Sequence, residues 1–174
     1  MTTKIDRIKN AIRDVPDFPK PGILFKDISP VLADPKLFHD AVSLFVSRHK
    51  ANRIDKVAAI DARGFLFGAS AAYNLKAGIV PIRKKGKLPY KTFEQSYDLE
   101  YGSATLAMHV DAVKPGERVV VLDDLLATGG TAAAACELIR RAGGTIVEVD
   151  FLIELTFLNG RAKIHDPIYA AIAF

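Results

Sequence analysis

One pattern in this sequence restricts its fold more than any other. A short apolar run, a polar loop, a helical stretch and another apolar run follow each other twice. In the first copy, residues 57–60 predict a strand and residues 65–76 a helix; in the second, residues 119–122 predict a strand and residues 131–141 a helix. Short apolar strands that alternate with such helices form parallel sheets. The sequence therefore predicts an α/β fold whose central, mostly parallel sheet has helices on both faces.

Glycines mark the turns of this predicted fold. Gly78 and Gly143 follow the last helical turn of each copy, where we expect glycine to supply the left-handed residue that ends a helix. Between the copies, residues 87–113 are rich in strand-forming residues and contain Gly102, where two antiparallel arms can turn. This segment predicts a β-hairpin that projects from the sheet.

The segment before the first copy predicts two helices separated by an irregular stretch. Apolar residues recur at helical spacing in the first helix, at Ile5, Ile8, Ile12 and Val15. The second helix starts after Asp34-Pro35, and one of its faces carries Phe38, Ala41, Val42, Phe45, Val46 and His49. Residues 16–30 contain four prolines, and we expect no regular element there.

Size and composition indicate a single domain in a reducing compartment. A chain of 174 residues can form one packed core, and no low-complexity or charged block marks a linker, so we expect one domain over residues 1–174. No apolar run approaches the ~18 residues of a membrane span, and residues 1–15 lack the apolar centre of a signal peptide. Cys136 is the single cysteine, which excludes an internal disulfide. We expect a cytoplasmic protein.

The chain is basic, with a formal net charge of +4 and a pI near 9.2. Such a charge suits nucleic acid, a membrane surface or a small polyanion. The one dense basic run is residues 83–87, and neither a basic helix nor interleaved aromatics accompany it. The pattern favours a small anionic substrate, although a solvated strand end alone would also explain the run.

The loop after the second predicted strand has the composition of a phosphate site. Glycines let the backbone turn tightly and direct its N–H groups into one concavity, and the following helix adds its positive N-terminal end. Ligands of an open parallel sheet bind beyond the carboxyl ends of its strands. The predicted phosphate-binding residues are Ala127, Thr128, Gly129, Gly130 and Thr131. The alternative is a flexible turn without a ligand.

Two acidic residues, Asp123 and Asp124, directly precede this loop, although carboxylates repel phosphate. A triphosphate clamp is not indicated, because no lysine follows Gly130 and no G-x-G-x-x-G motif is present. Carboxylates do accept hydrogen bonds from hydroxyls, and a ribose 5-phosphate carries a vicinal hydroxyl pair away from its phosphate. The sequence therefore predicts the phosphate on the loop and the 2′- and 3′-hydroxyls on the two aspartates.

Several segments of the chain resemble one known family. VVVLDDLLATGGT resembles the phosphoribosyl-diphosphate (PRPP) signature of the type I phosphoribosyltransferases. The segments FPKPGILFKDISPVL, DARGFLFG, IRKKGKLP, YDLEYG and DDLLATGGTAAAACELI follow in order over residues 16–154, and they resemble the adenine-using branch of that family. The resemblance implies the type I phosphoribosyltransferase fold with a β-hairpin hood over residues 87–109.

The resemblance also implies an activity. Members transfer the 5-phosphoribosyl group of PRPP to N9 of adenine, giving AMP and pyrophosphate with Mg²⁺ in purine salvage, and they are usually homodimers. Mg²⁺ prefers substrate oxygens and water to an all-protein cage. We therefore expect PRPP to carry it, with Asp123 or Asp124 in its outer shell and no direct protein ligand. Four histidines, His39, His49, His109 and His165, lack metal-ligand spacing.

By the same resemblance, a basic surface holds the leaving pyrophosphate. The residues implied are Asp61, Ala62 and Arg63 of the loop DARG, together with Arg83, Lys84 and Lys87. An arginine there can give bidentate contacts to the anion. Members commonly have a cis peptide in this loop, which the sequence does not reveal. Asp61 stands where many members have Glu, and Lys85 where Pro or Arg is frequent.

The hairpin hood is expected to close over PRPP and exclude water. The resemblance assigns Glu100 to acid–base catalysis at the purine and Tyr101 to substrate contact, and an ordinary exposed hairpin acid is the alternative for Glu100. Adenine is assigned to Leu24, Phe25 and Lys26: its ring stacks on Phe25, and backbone groups of the other two read its edge. Packing is the alternative role for Phe25.

Two other functions fit the same PRPP loop. A related transferase could prefer hypoxanthine, guanine or xanthine, and a regulatory module of this fold could bind PRPP and nucleic acid without catalysis. Arg63, Glu100 and Tyr101 favour catalysis. We expect adenine and PRPP as small-molecule substrates, and neither a nucleic-acid nor a membrane partner.

Overall fold

The computed structural model describes residues 2–98 and 102–174 of the chain. The chain divides into two compact units, Met1–Phe45 and Val46–Phe174. The single domain expected over residues 1–174 stays a prediction. Within the described residues, no helix is long and apolar enough to cross a membrane.

The first unit contains helices and a two-stranded antiparallel sheet: α1 (Lys4–Ala11), β1 (Arg13–Pro16), β2 (Leu24–Asp27), α2 (Ser29–Ala33) and most of α3 (Pro35–His49). Thr3 and Asp6 begin α1 with a reciprocal cap, in which each side chain accepts a hydrogen bond from the other's backbone N–H. The Asp34 carboxylate accepts from the N–H groups of Lys36 and Leu37 at the start of α3. The Asp34 cap explains why α3 begins where the sequence predicts.

Two expectations for this unit were wrong. The first helix does not reach Val15, which pairs with Phe25 in the sheet. The proline-rich residues 16–30 are not wholly irregular, because β2 forms and α2 begins within them. Proline is compatible with regular structure here, since Pro16 ends β1 and Pro30 lies in the first turn of α2, where no intrahelical N–H bond is required.

The second unit is built on a seven-stranded sheet in the order β5-β6-β4-β3-β7-β8-β9. The pairs β4–β3, β3–β7, β7–β8 and β8–β9 are parallel, whereas β6 is antiparallel to both β5 and β4. The strands are β3 (Lys56–Ile60), β4 (Gly78–Lys84), β5 (Thr92–Asp98), β6 (Ser103–His109), β7 (Arg118–Leu126), β8 (Thr145–Glu154) and β9 (Ile168–Ala173). The helices are α4 (Gly64–Leu75) and α5 (Gly130–Arg141), with short 3-10 turns at Thr156–Leu158 and Gly160–Lys163.

The two crossover connections run in opposite directions from the middle of the sheet. The β3-α4-β4 connection leads toward β6, and the β7-α5-β8 connection leads toward β9. Right-handed crossovers in opposite directions place their helices on opposite faces of a sheet. Val119 and Val121 of β7 belong to the same apolar core as Ala135 and Leu138 of α5. The predicted α/β fold with a mostly parallel sheet is confirmed.

Turn residues and one strand end differ in detail from the prediction. Lys76, with a φ of 56°, is the left-handed residue that ends α4, and Gly78 begins β4 instead. Gly143, with a φ of 85°, is left-handed after α5 as predicted. The strand β7 continues to Leu126, so Asp123 and Asp124 belong to the strand itself.

The predicted hairpin is present in the described residues as β5 and β6. It does not project freely, because Arg83 and Lys84 of β4 pair with Ala107 and Leu106 of β6. The hairpin therefore extends one edge of the main sheet, with β5 outermost. The opposite edge, β9, was not assigned from the sequence.

Candidate active site

The crossover connections that follow β3 and β7 lead to opposite edges of the sheet, so the strand order reverses between these two strands. In open α/β sheets, ligands bind in the crevice beyond the carboxyl ends of two such strands. Asp61 directly follows β3, and Asp123 and Asp124 lie near the carboxyl end of β7. A cavity of about 370 Å³ lies there, and its lining residues include Asp61, Ala62, Arg63, Lys84, Asp123, Asp124 and Thr131. We call it the large cavity.

The predicted phosphate loop forms a smaller cavity of about 70 Å³, lined in part by Asp123, Ala127, Thr128, Gly129 and Thr131. Gly129 has a φ of 79°, and a Cβ there would lie 2.9 Å from the carbonyl carbon of Gly160. Both facts require glycine. Since α5 begins at Gly130, its first N–H groups lack intrahelical acceptors and are available to an anion. Asp123 and Thr131 line both cavities, so the small cavity adjoins the large one.

The two aspartates form a tight pair with unusual electrostatics. The Asp124 backbone N–H donates to Asp123 Oδ1 over 2.8 Å. Removal from water, and then the charge of Asp124, raise the pKa of the Asp123 carboxyl well above its usual value. Burial also raises the pKa of Asp124, which Arg63 opposes. Both carboxyls therefore bind protons more tightly than exposed aspartates do.

The arginines expected to hold pyrophosphate are already paired with carboxylates. Arg63 Nε lies 2.8 Å from Asp124 Oδ2, and Arg83 Nε donates to Asp61 Oδ2 over 2.9 Å. Arg83 Nη1 also donates to the Lys87 carbonyl over 3.1 Å. The Asp61–Ala62 peptide is cis, which the sequence could not reveal. Lys84 lines the large cavity, whereas Lys87 is exposed and is not among its lining residues.

A second group of titratable side chains lies at the end of α3. His49, Glu148 and Asp150 are buried, and their ligand atoms lie within 4.8 Å of one another. Two of them are each other's partner, since His49 Nε2 is 2.7 Å from Asp150 Oδ2. Arg48, from outside the group, binds both Glu148 oxygens. Burial raises the pKa of Asp150 to about 6. These contacts describe an ion-pair network that joins α3 to β8.

The residues assigned to adenine lie in the first unit, on β2. Phe25 and Phe18 pack edge to face, with their ring centroids 5.1 Å apart. With Val15 and Asp27 they line an open, mostly apolar cavity of about 250 Å³. Lys26 Nζ donates to Asp14 Oδ1 over 2.6 Å, and Leu24 is 50% exposed.

Sequence reasoning missed Phe18, which shares the FPKP stretch with Pro19, and Asp27 of FKDISP. Hydrogen bonds from Ser29 and Arg13 lower the pKa of Asp27 to about 2, so its carboxylate is charged in this cavity. Phe18 and Asp27 could have been found because both lie in segments that carry the resemblance. The contact between Phe18 and Phe25 could not, because it depends on the conformation of the chain between β1 and β2. The pairing of β1 with β2 makes that contact possible.

Glu100 and Tyr101, assigned to catalysis, lie outside the described residues. The hairpin nevertheless contributes two side chains to the large cavity that the sequence did not single out, Tyr97 of β5 and Leu106 of β6. Only strand alternation could have indicated them, because their position depends on the pairing of β6 with β4.

Comparisons with known proteins identify the family of the chain. The family model described as phosphoribosyl transferase domain matches residues 28–167. An adenine phosphoribosyltransferase from Bradyrhizobium sp. (strain BTAi1 / ATCC BAA-1182) is 54% identical, over 100% of this chain and 98% of that protein. The crystal structure of adenine phosphoribosyltransferase from Rhodothermus marinus DSM 4252 has a TM-score of 0.94 at 49% identity and covers 100% of both chains.

A third similar protein was solved with ligands bound. The adenine phosphoribosyltransferase from Saccharomyces cerevisiae, complexed with D-2,5-dideoxy-2,5-imino-altritol 1,6-bisphosphate and adenine, has a TM-score of 0.94 at 37% identity. The match covers 98% of this chain and 99% of that one. Similarity over the full length thus joins the site geometry in pointing to one reaction.

Proposed function

The chain belongs to the adenine phosphoribosyltransferases of the phosphoribosyltransferase family, and from that premise we propose how its residues perform the reaction. The enzyme transfers the 5-phosphoribosyl group of PRPP to N9 of adenine and releases AMP and pyrophosphate. The observation that carries the residue assignments is the shared wall of the two cavities. Asp123 and Thr131 line both the acidic large cavity and the small cavity of the phosphate loop. Both cavities lie where the strand order of the sheet reverses.

In this proposal, PRPP lies across both cavities. Its 5-phosphate occupies the small cavity, where Ala127, Thr128, Gly129, Gly130 and Thr131 supply backbone N–H groups and hydroxyls. Its 2′- and 3′-hydroxyls donate to Asp123 and Asp124 in the large cavity. The raised pKa values fit this role, because hydroxyl donors replace the water that the two carboxylates lack.

When pyrophosphate binds, two arginines exchange their aspartate partners for the anion. Arg63 and Arg83 turn from Asp124 and Asp61 toward the diphosphate, and Ala62 and Lys84 complete the surface with Lys87. Because each arginine already has a charged partner, its cost of desolvation is partly met before substrate binds. The exchange also frees Asp124 to accept the ribose hydroxyl.

The chemical step breaks the bond from C1 of the ribose to the pyrophosphate oxygen and forms the bond from C1 to N9. The arginines and lysines stabilise the departing anion, and the aspartates stabilise positive charge on the sugar. The proton on N9 leaves to a base, the role we propose for Glu100, with Tyr101 contacting the substrate. The hairpin hood over residues 87–109 excludes water.

Magnesium fits the acidic side of the large cavity. Asp61, Asp123 and Asp124 line it with carboxylate oxygens, which are the hard donors that this cation prefers. Bound with PRPP, Mg²⁺ would neutralise charge on the leaving pyrophosphate, and Asp123 and Asp124 would hold it through water.

We assign adenine to the aromatic cavity of the first unit. Phe25 offers its ring for stacking, with Phe18 set edge-on to it, and the backbone groups of Leu24 and Lys26 read the base edge. Discrimination against 6-oxopurines follows, because a site that hydrogen-bonds the exocyclic amine leaves polar groups unpaired with the wrong base.

We also propose a cytoplasmic homodimer. On α4, Leu66 is 45% exposed and Tyr73 is 86% exposed, and their seven-residue separation puts them on one helix face. Exposed apolar side chains so arranged favour an interface between two copies of the chain. Cys136 is the single cysteine and its thiol is free, and a chain that forms no internal disulfide suits a reducing compartment.

The assay for this proposal measures AMP from adenine, PRPP and Mg²⁺ by chromatography. Asp124→Asn removes a charged acceptor for the ribose and a partner of Arg63, so we expect kcat/KM for PRPP to fall roughly 10- to 150-fold. Asp111→Asn, at an exposed position of the same unit, is the matched control and keeps wild-type activity. Equal activity of the two variants would remove Asp124 from the site, and EDTA should abolish activity in all.

A further inference from the structure

Tyr97 occupies a position between two cavities. It lines the large cavity, and it also lines a third cavity of about 310 Å³ between β5 and α5, whose walls include Ser96, Gly130, Ala133 and Glu137. The aromatic ring therefore separates the proposed PRPP site from the space along α5. No role has been given to this residue so far.

The ring is packed against the start of α5. A Cβ placed on Gly130 would lie 3.2 Å from Tyr97 Cδ2 and 3.4 Å from the Asp98 carbonyl oxygen. Gly130 has helical backbone geometry without a positive φ, so its conformation does not require glycine. The close approach of Tyr97 disfavours a side chain at this position, because the ring would have to shift by a few tenths of an ångström to admit a Cβ. Two residues of β5 thus rest on the first turn of the helix that carries the phosphate loop.

The other end of β5 is also held by α5. Arg141 Nη1 donates to the Glu94 carbonyl over 2.6 Å, and its guanidinium lies 5.2 Å from the centre of the Phe93 ring. Since β5 is bound to α5 at both ends, a shift at the N-terminus of α5 and a shift of the hairpin are mechanically linked. Tyr97 is the side chain of this contact that reaches the large cavity.

We propose that Tyr97 is a positioning residue, which couples the phosphate loop to the hairpin and keeps water away from C1 of the bound ribose. This inference rests on the proposed function. With the 5-phosphate seated at Gly130, the ring is held between the loop and the cavity and closes one side of it. When the ring is absent, water can attack C1 in place of N9. The bond from C1 to the pyrophosphate oxygen breaks, a bond from C1 to the water oxygen forms, one water proton passes to the departing pyrophosphate, and ribose 5-phosphate is released.

The test compares AMP with ribose 5-phosphate formed from PRPP by wild type, Tyr97→Ala and Tyr97→Phe. We expect Tyr97→Ala to lower kcat for AMP by 10-fold or more, with a smaller change in KM for PRPP, and to raise the ratio of ribose 5-phosphate to AMP by 10-fold or more. Tyr97→Phe keeps the ring and restores both values. Phe157→Ala, at a position 74% exposed and outside the hairpin hood, is the control and leaves the ratio unchanged.

A second measurement examines the same contact while the ring is kept. Gly130→Ala inserts a methyl group 3.2 Å from the ring, so it should raise the ratio in wild type but add little in the Tyr97→Ala background. Additive effects, or a wild-type ratio in Tyr97→Ala, would overturn the inference while AMP synthesis leaves the proposed function intact. Wild type that forms neither product would overturn both.

Discussion

Asp123 shows at the scale of one residue how the site opposes the stability of the fold. Its pKa is raised well above the usual value by removal from water and by Asp124. A carboxyl whose pKa is higher in the folded state contributes stability fully below its unfolded pKa, about 3.9, and loses that contribution as pH rises through the folded value. Asp123 therefore stabilises the fold less at neutral pH than at acid pH.

We predict that Asp123→Asn is more stable and less active than wild type. Asparagine carries no carboxyl group whose ionisation burial opposes, so the free energy of unfolding at pH 7 should rise. The gain should vanish near pH 3, where Asp123 is protonated in both states. Denaturant unfolding at the two pH values measures this, with Asp111→Asn as control; loss of stability at pH 7 would contradict it.

At the scale of elements, the phosphate loop depends on contacts that its own residues do not make. Gly129 turns with a φ of 79°, and the backbone of Gly160, in a later 3-10 turn, stands where a Cβ would lie. The loop is thus shaped from both sides. A residue far along the chain limits what position 129 can hold.

Gly129→Ala should therefore cost more than another substitution at positive φ. Gly116, with a φ of 82° and open space around it, is the matched control. We expect Gly116→Ala to lose about 1–2 kcal/mol of stability from backbone strain alone. Gly129→Ala adds the collision with Gly160 and should also raise KM for PRPP at least 10-fold. Equal melting temperatures and equal KM values would show that the loop tolerates a side chain.

The spacing of apolar residues predicted those strands and helices that bury their apolar side chains. The strands β3 and β7 and the helices α4 and α5 are each apolar on the side they bury, so their order and the acids at the strand ends followed from the sequence. The short strands β1 and β2 were missed, because the positions of prolines do not indicate which segments pair as strands. Tyr97 and the pairing of Arg63 with Asp124 were missed for the same reason, because each depends on a contact between distant segments.

At the scale of the whole molecule, two compact units carry two kinds of surface. The second unit holds the acidic crevice and the phosphate loop, and the first holds the aromatic cavity around Phe18 and Phe25. The division matches the chemistry of the substrates, one a charged sugar phosphate and the other a flat, neutral base. The proposed assembly of two chains would add a third surface.

The proposed dimer interface on α4 can be tested by introducing charged side chains there. Leu66→Glu with Tyr73→Glu places two carboxylates on the exposed apolar face, and burying them without partners is unfavourable. We expect wild type to sediment at twice the chain mass and the double variant at the chain mass. Tyr90→Glu, elsewhere on the surface, should remain dimeric. A dimeric double variant would place the interface on another face.

The most direct measurement supplies purified protein with PRPP, Mg²⁺ and an equimolar mixture of adenine, hypoxanthine, guanine, xanthine and uracil, and identifies the nucleotides by chromatography. We predict AMP alone, because in the proposed base site the backbone groups of Leu24 and Lys26 read the exocyclic amine, and a 6-oxopurine would leave them unpaired. Inosine, guanosine or xanthosine monophosphate as the main product would contradict the adenine assignment. No nucleotide from any base would contradict the assignment of the chain as a transferase.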